Sequence, residues 1–450
     1  MFALRRSAKL AAVLLLACLA VPAVNAQIQI FVPSGHAQSR VIVRDNLGLP
    51  GLQDTCLLLG CQVRYGLGDP NGQVFLVTLP SILDVGTFLN SLNLQVGIVD
   101  AEVDFKLRTS QASSAPPALK DQAPFNYYGQ TVADGYVNQP ATQLIRMLDA
   151  QQDWQITGTG IVAVIDTGVD TGHPVLQPVL LPGYDFTRNR SGADEKADVT
   201  QSTEAVLDGN IGWVSQSTEA VLDQSTEAVL DQSQYAAFGH GTMTAGLVHL
   251  VAPTAQILPL KAFGPDGSGY ASDVIRAIYY AGRANATVLS MSFSLPTSSK
   301  ELTAAIKNAV KNGEIPVAAV GNDGKQTVVY PAGIAGVIGV ASTTNYDQIS
   351  SFSNWGSMVW LGAPGEGVVS TYPYGTYAAG WGTSFSTPLV AGTVALLLNA
   401  HSGCSEPQAA NALGNAVYAG SQLGHGRLDI HQAVQAWSTA NNQSDQNNQR

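Results

Sequence analysis

Five short runs between residues 161 and 341 are dominated by apolar side chains without polar alternation: 161–165, 257–263, 287–292, 315–320 and 337–341. Such strands have both faces buried, the condition inside a parallel sheet covered by helices on each side. Amphipathic helical patterns lie between the runs. In the clearest, Leu302, Ala305, Ile306, Ala309 and Val310 share one face, and Asn312-Gly313 forms the stop. Strand and helix in alternation predict an α/β fold with a doubly wound, three-layer parallel sheet and right-handed crossovers. In that architecture functional groups gather at the carboxyl ends of the strands.

The N-terminus sets the compartment. Arg5, Arg6 and Lys9, an apolar run over 10–20 and the small-residue site Val24-Asn25-Ala26 have the layout of a secretory signal peptide spanning 1–26. The run is shorter than the roughly 20 residues a bilayer crossing needs, so a secreted protein, extracellular or periplasmic, with no membrane association after cleavage is expected. Reading Leu15-Leu16-Ala17-Cys18 as a lipoprotein site would leave an unusually short hydrophobic core. Loss of the three cations takes the formal charge from −11 to −14. Nucleic acid is excluded as a partner, because non-specific affinity for it comes from Lys and Arg neutralising phosphates. A monomer is expected. An oxidising compartment permits a bridge between Cys56 and Cys61, while Cys404, beyond the last long apolar helix, reads as a buried bystander.

Ahead of the sheet, residues 27–70 show little periodicity. A strand over 73–79, a helix marked by Val85, Phe88, Leu89 and Leu92, and strands over 96–99 and 102–107 then form a small α+β core, about 73–110, within a segment 27–110. In the last strand Val103, Phe105 and Leu107 alternate with Glu102, Asp104 and Lys106, the pattern of a sheet with one wet face. Residues 111–126, with Pro116-Pro117, read as an extended linker to a large domain over 127–437. Within it, an insertion at about 198–235 holds three copies of QSTEAVLD, at 201–208, 216–223 and 224–231, and reads as a duplicated surface segment. Residues 438–450, rich in Asn and Gln, read as a disordered tail.

Three segments carry chemistry. IVAVIDTGVD, 161–170, ends a buried strand on Asp166; GHGTMTAG, 239–246, presents His240 at a helix start; GWGTSFSTP, 380–388, presents Ser384 at the entrance of an apolar helix, with Pro388 in its first turn. A serine hydroxyl is a poor nucleophile near neutral pH and needs an imidazole to take its proton. The imidazole in turn needs a carboxylate to hold its tautomer and its charged form. The chain order Asp, His, Ser is the one found in subtilisin.

On these segments residues 127 to about 437 resemble a subtilase catalytic domain. The resemblance implies peptide-bond hydrolysis by Asp166, His240 and Ser384 on polypeptide substrates. It extends to AAVGNDG at 318–324, where Asn322 stands as the oxyanion donor beside the Ser384 backbone N–H. It also implies substrate-binding edges at Gly267, Ser268 and Gly269, opposite Ser292, Phe293 and Ser294, with Ala319 and Gly321 on the pocket wall. The small N-terminal unit would be an inhibitory propeptide whose last strand lies in the cleft, the chain's own partner; the alternative is an ordinary domain that stays attached. Met243 and Ser386 stand where most relatives carry His and Ala, Ser294 replaces a usual glycine, and Val329 narrows the specificity pocket.

No metal ligand set and no required cofactor are expected, because the segment 246–251 is too short for the tight calcium loop of many relatives. Asp185 and Asp194 leave weak structural calcium sites open. Two rivals remain: a catalytically silent subtilase fold that binds peptides, and a sedolisin-like acid peptidase, whose serine motif GTSFSTP also meets. Sedolisins use Glu and Asp in place of the histidine, so GHGT argues against the second.

Overall fold

The computed structural model describes residues 40–79, 85–104, 106–107, 116–199, 215–216 and 235–448. The chain divides into a unit 1–38, outside the described residues, and a unit 39–450 that carries every element below. The signal peptide reading, the capping signal near Ser81 and the QSTEAVLD copies lie outside the described residues, apart from the backbone at Ser215–Gln216, which runs parallel to Ala379–Gly380.

The N-terminal part of the 39–450 unit is a four-stranded antiparallel sheet. Its elements are β1 (Arg40–Asp45), α1 (Gly48–Leu59), β2 (Gln62–Gly66), β3 (Val74–Thr78), α2 (Val85–Leu92) and β4 (Ile98–Val103), with strand order β2-β3-β1-β4. Residues 40–66, where no periodicity was visible, thus supply the central strand and a helix. Val41, Ile42 and Val43 are all buried, on both faces of so short a strand that no period could show. Leu52, Cys56, Phe88 and Leu92 pack on one face of the sheet, and a disulfide joins Cys56 to Cys61. The two strands expected at 96–99 and 102–107 are one strand, β4, followed by a separate two-residue strand, β5 (Lys106–Leu107).

The main sheet has eight strands. In chain order they are β6 (Ile161–Asp166), β7 (Tyr184–Asp185), β8 (Arg190–Ser191), β9 (Gln256–Lys261), β11 (Val288–Met291), β12 (Ile315–Ala319), β13 (Ile338–Thr343) and β14 (Leu361–Pro364), with β10 (Gly269–Tyr270) lying outside the sheet. Their spatial order is β8-β7-β9-β6-β11-β12-β13-β14, parallel except for the β7–β8 edge hairpin. Chain order turns back at β6, whose neighbours are β9 and β11. That reversal opens a crevice at the carboxyl end of β6, where Asp166 sits.

Two helical layers explain the unalternating runs. Val162 and Val164 of β6 enter a core with α3 (His240–Val251) and α6 (Thr383–Ala400). Ala163 and Ile165 enter the opposite core, with α4 (Ala271–Arg283) and α5 (Lys300–Lys311). Among the described residues α6 alone is long and apolar enough to cross a membrane by length and composition, and it lies inside this core. Ser299 caps α5 by accepting from the Leu302 N–H, a contact worth about 1 kcal/mol.

Two boundaries differ from the sequence reading. From Pro116 the expected linker is structured: a 3-10 turn, Pro117–Lys120, buries Leu119, and Pro124–Tyr127 pairs with Gln130–Ala133. The C-terminal helix α7 (Ile430–Asn448) runs through the expected tail, because Trp437 is buried and its indole N–H donates to the Leu397 carbonyl.

Glu314, just before β12, is 3% exposed, and its Oε2 has no partner among the described residues. Burial pushes its carboxyl up to about 7. The folded chain therefore holds a proton that the unfolded chain has released between about pH 4.5 and 7, and stability falls as pH rises through that window. Glu314→Gln should remove this slope and stabilise the protein at pH 8 by on the order of 1–3 kcal/mol. Melting curves at pH 5 and 8 in a Ser384→Ala background measure it.

Candidate active site

The site begins with a buried carboxylate that is fully supplied with donors. Asp166, 4% exposed, accepts at Oδ1 from His240 Nδ1 (2.7 Å) and from the Thr167 N–H (2.7 Å), and at Oδ2 from the Thr244 hydroxyl (3.1 Å). With Nδ1 donating to Asp166, the lone pair on Nε2 is left for another proton. His240 is the first residue of α3, and two glycines let that helix come close to β6. A Cβ on Gly241 would lie 1.8 Å from the Gly168 carbonyl oxygen, and one on Gly239, at φ +86°, would lie 2.0 Å from the Tyr372 ring.

Ser384 lies at the start of α6, 6% exposed. Its hydroxyl donates to the Ser292 carbonyl at 3.0 Å, and among the described residues it makes no bond to His240. Pro388 falls in the second turn of α6, not in the first as its spacing implied, and its missing N–H frees the Ser384 carbonyl. That oxygen accepts from the Ser292 hydroxyl at 2.8 Å. Ser292 and Ser384 are therefore tied by two reciprocal bonds.

Asn322 lies on the other side of the helix start. Its Oδ1 accepts from the Thr383 N–H and hydroxyl, both at 2.9 Å, which turns Nδ2 outward as a donor. A Cβ on Gly382 would lie 3.2 Å from Asn322 Nδ2 and 3.7 Å from the Ser384 backbone nitrogen. Gly382 thus keeps clear a space flanked by two N–H donors at a helix N-terminus, an arrangement that receives an anionic oxygen.

The cleft residues fall on two sides of this centre. Ile165, Asp166, Thr167, His240, Phe263, Gly267, Ser292 and Phe293 line one small cavity. Ser268 is held by Asp266, which accepts from its N–H (3.0 Å) and its hydroxyl. Gly269 pairs antiparallel with Leu107, and Tyr270 with Lys106, so β5 lies against β10. Phe293 packs on Phe263 with ring centroids 5.0 Å apart. Ser294 stands at Gly321, where an added Cβ would meet its Oγ at 3.0 Å, and Ala319 is buried at the end of β12. Val329 is 4% exposed and Met243 is fully buried. The Ser386 hydroxyl donates to the Ala363 carbonyl.

Asp185 accepts from the Thr187 hydroxyl and is paired with Arg188, while Asp194 accepts from the Lys196 N–H. Among the described residues no group of three His, Cys, Asp or Glu could hold a metal ion. Burial pushes the Cys404 thiol up to about 12, away from thiolate chemistry.

Motif reading missed Thr167 and Thr244, although both lie inside the quoted segments. It also missed Glu195, which bonds to Thr167 and Thr242 from a distant loop. The two threonines had a local signal, a hydroxyl beside each partner. Glu195 had none.

The glycine contact is testable. Gly241→Ala should push α3 off the Gly168 loop, lowering kcat/KM at least about 100-fold and destabilising the fold by on the order of 3 kcal/mol. Peptide hydrolysis and melting temperature read the two effects.

Comparison with known proteins agrees with this geometry. A model of the Subtilase family matches residues 158–448. Thermitase of Thermoactinomyces vulgaris is 33% identical over 302 residues, 64% of this chain and 94% of that protein. The major intracellular serine protease of Bacillus subtilis (strain 168) is 33% identical over 271 residues, 56% of this chain and 73% of that protein. A solved lanthipeptide protease shares the fold, with a TM-score of 0.54 and 22% identity over 66% of this chain and 95% of that one. With a buried Asp–His pair at a doubly wound crevice and the family match over most of the sheet, this chain belongs to the subtilase family and is a serine-type endopeptidase.

Proposed function

We propose that this protein is exported as a precursor and cleaves extended polypeptides through Asp166, His240 and Ser384. The observation that carries the assignment is the 2.7 Å Asp166–His240 bond beside a helix start holding Ser384 and two convergent N–H donors. Substrate would add as a strand along Gly267, Ser268 and Gly269, facing Ser292, Phe293 and Ser294. Rotation about χ1 turns the Ser384 hydroxyl from Ser292 to the imidazole. His240 takes its proton during attack and returns it to the leaving amine, while Asp166 holds the imidazolium. Asn322 Nδ2 and the Ser384 N–H bind the oxyanion until water releases the acyl-enzyme.

The small sheet is read as an inhibitory propeptide. The support is the β5–β10 pairing, which places chain where a substrate strand would lie. Two carboxylates following the same path cap helices of the large domain. Glu102 accepts from the Ser299 hydroxyl and from the Lys300 N–H (3.0 Å) at the start of α5; Asp104 accepts from the Ser272 N–H (2.9 Å) and hydroxyl (2.8 Å) at the start of α4. Arg44 adds a two-point contact to Glu301.

Two variants and two wild-type measurements test the chemistry. Ser384→Ala should abolish fluorophosphonate labelling and lower kcat about 10⁶-fold, and Asn322→Ala should lower it about 10²- to 10³-fold with little change in KM. A folded wild type that resists labelling would instead mark a peptide-binding protein. A rate still high near about pH 3, where imidazole is protonated, would mark acid-peptidase chemistry.

Processing has its own test. Wild type should begin after residue 107, while purified Ser384→Ala keeps the N-terminal unit, as read by N-terminal sequencing of both. Identical maturation of the two forms without added protease rules out self-cleavage.

A further inference from the structure

Glu195 belongs to none of the motifs, yet it is 0% exposed and lies against both partners of the Asp–His pair. Its Oε1 accepts from the Thr242 N–H (3.2 Å) and the Thr242 hydroxyl; its Oε2 accepts from the Gly239 N–H (3.0 Å) and the Thr167 hydroxyl (3.1 Å). The hydroxyl hydrogens are committed to these bonds, because the same oxygens accept elsewhere. Thr242 Oγ1 takes the Asp170 N–H at 2.7 Å, and Thr167 Oγ1 takes the Gly241 N–H at 2.8 Å. Four donors therefore converge on the two carboxyl oxygens.

The charged and titratable surroundings are few. Lys261 of β9, fully buried, donates to the Thr167 carbonyl (2.5 Å) and to Asp198 (2.7 Å); Asp166 lies on β6 and the Tyr372 hydroxyl on the strand Val368–Tyr372. Burial pushes the Glu195 carboxyl up to about 8, while the Thr242 and Thr167 bonds and Lys261 pull it down.

Each bond lands beside a reacting partner. Thr167 follows Asp166, Gly239 precedes His240, and Thr242 lies two residues beyond it. We propose that Glu195 is a positioning residue for the proton relay, locking the start of α3 to the end of β6. The proposal rests on the triad reading given above. Its chemistry is mechanical: it sets the angle at which Nε2 faces Ser384.

The test uses the mature secreted enzyme with a chromogenic peptide. Glu195→Gln must turn an amide NH2 against some of the four donors. It should lower kcat about 10- to 100-fold with KM changed by less than about threefold. Thr167→Val should reproduce most of the kcat loss, and Thr167→Ser should recover most of it. Glu195→Gln that folds and keeps wild-type kcat overturns the proposal, whatever its melting temperature. If Glu195→Gln does not fold, the Thr167 pair decides, and equal kcat for the Val and Ser forms overturns it. His240→Ala measured alongside separates the two claims: an active His240→Ala removes the triad reading, whereas an inactive one beside an unaffected Glu195→Gln removes only this inference.

Discussion

A carboxylate without water survives only where donors surround it, and Asp166 is the point at which this structure meets that demand. An isolated buried charge costs several kcal/mol after relaxation. Asp166 answers with three donors: the backbone N–H of the residue that follows its strand, a threonine one turn into α3, and the imidazole. Two of the three come from α3, so the charge and the helix position are one problem. The approach is possible because Gly241 leaves room for the Gly168 carbonyl; any side chain there would separate the pair. What reads as a catalytic contact is also the condition that lets the strand end on an aspartate.

The serine side solves a different backbone problem with the same economy of groups. A proline inside a helix leaves one carbonyl without its amide, a defect of about 3 kcal/mol in a helix interior. Here the orphan is the Ser384 carbonyl, and Ser292 from the cleft wall fills it. The defect thereby fixes the distance between the wall and the Ser384 backbone. Gly382 and Asn322 work on the opposite side, where the amide oxygen is occupied by Thr383 and only the NH2 remains to face the open space. The direction of that amide is decided by its neighbour, in advance of any substrate.

Much of this was legible because it is local. The unalternating runs located five strands of the main sheet, and two of the three glycine-flanked motifs hold Asp166 and His240, which the fold brings into contact. Failures came where partners are distant. Glu102 and Asp104 alternate with apolar residues as a wet face would, but that face is covered by the starts of α4 and α5, whose N–H groups take the place of water. Alternation reports polarity and cannot say whether solvent or a helix terminus satisfies it. β1 was invisible for the opposite reason: three consecutive buried residues carry no period. The helical tail was misread from composition, since Asn and Gln can bond locally along a helix, as Asn441 does to the Trp437 carbonyl.

Glu195 marks the limit of motif reading most sharply, because it meets Gly239 and Thr242 across 44 and 47 residues of chain. The helix it caps opens with glycine, which supplies no side-chain acceptor, so the first N–H groups of α3 need one from elsewhere. That need was visible in the sequence even though its answer was not. Gly239 has φ +86°, open to glycine without strain, and a serine or aspartate there would cap the helix only by colliding with the Tyr372 ring. A remote carboxylate resolves the conflict: it supplies the acceptor without a Cβ at the cap, and it reaches Thr167 at the same time. Where a helix must start on glycine for steric reasons, its side-chain capping acceptor has to come from another segment, and here that segment packs beside the Asp166–His240 pair.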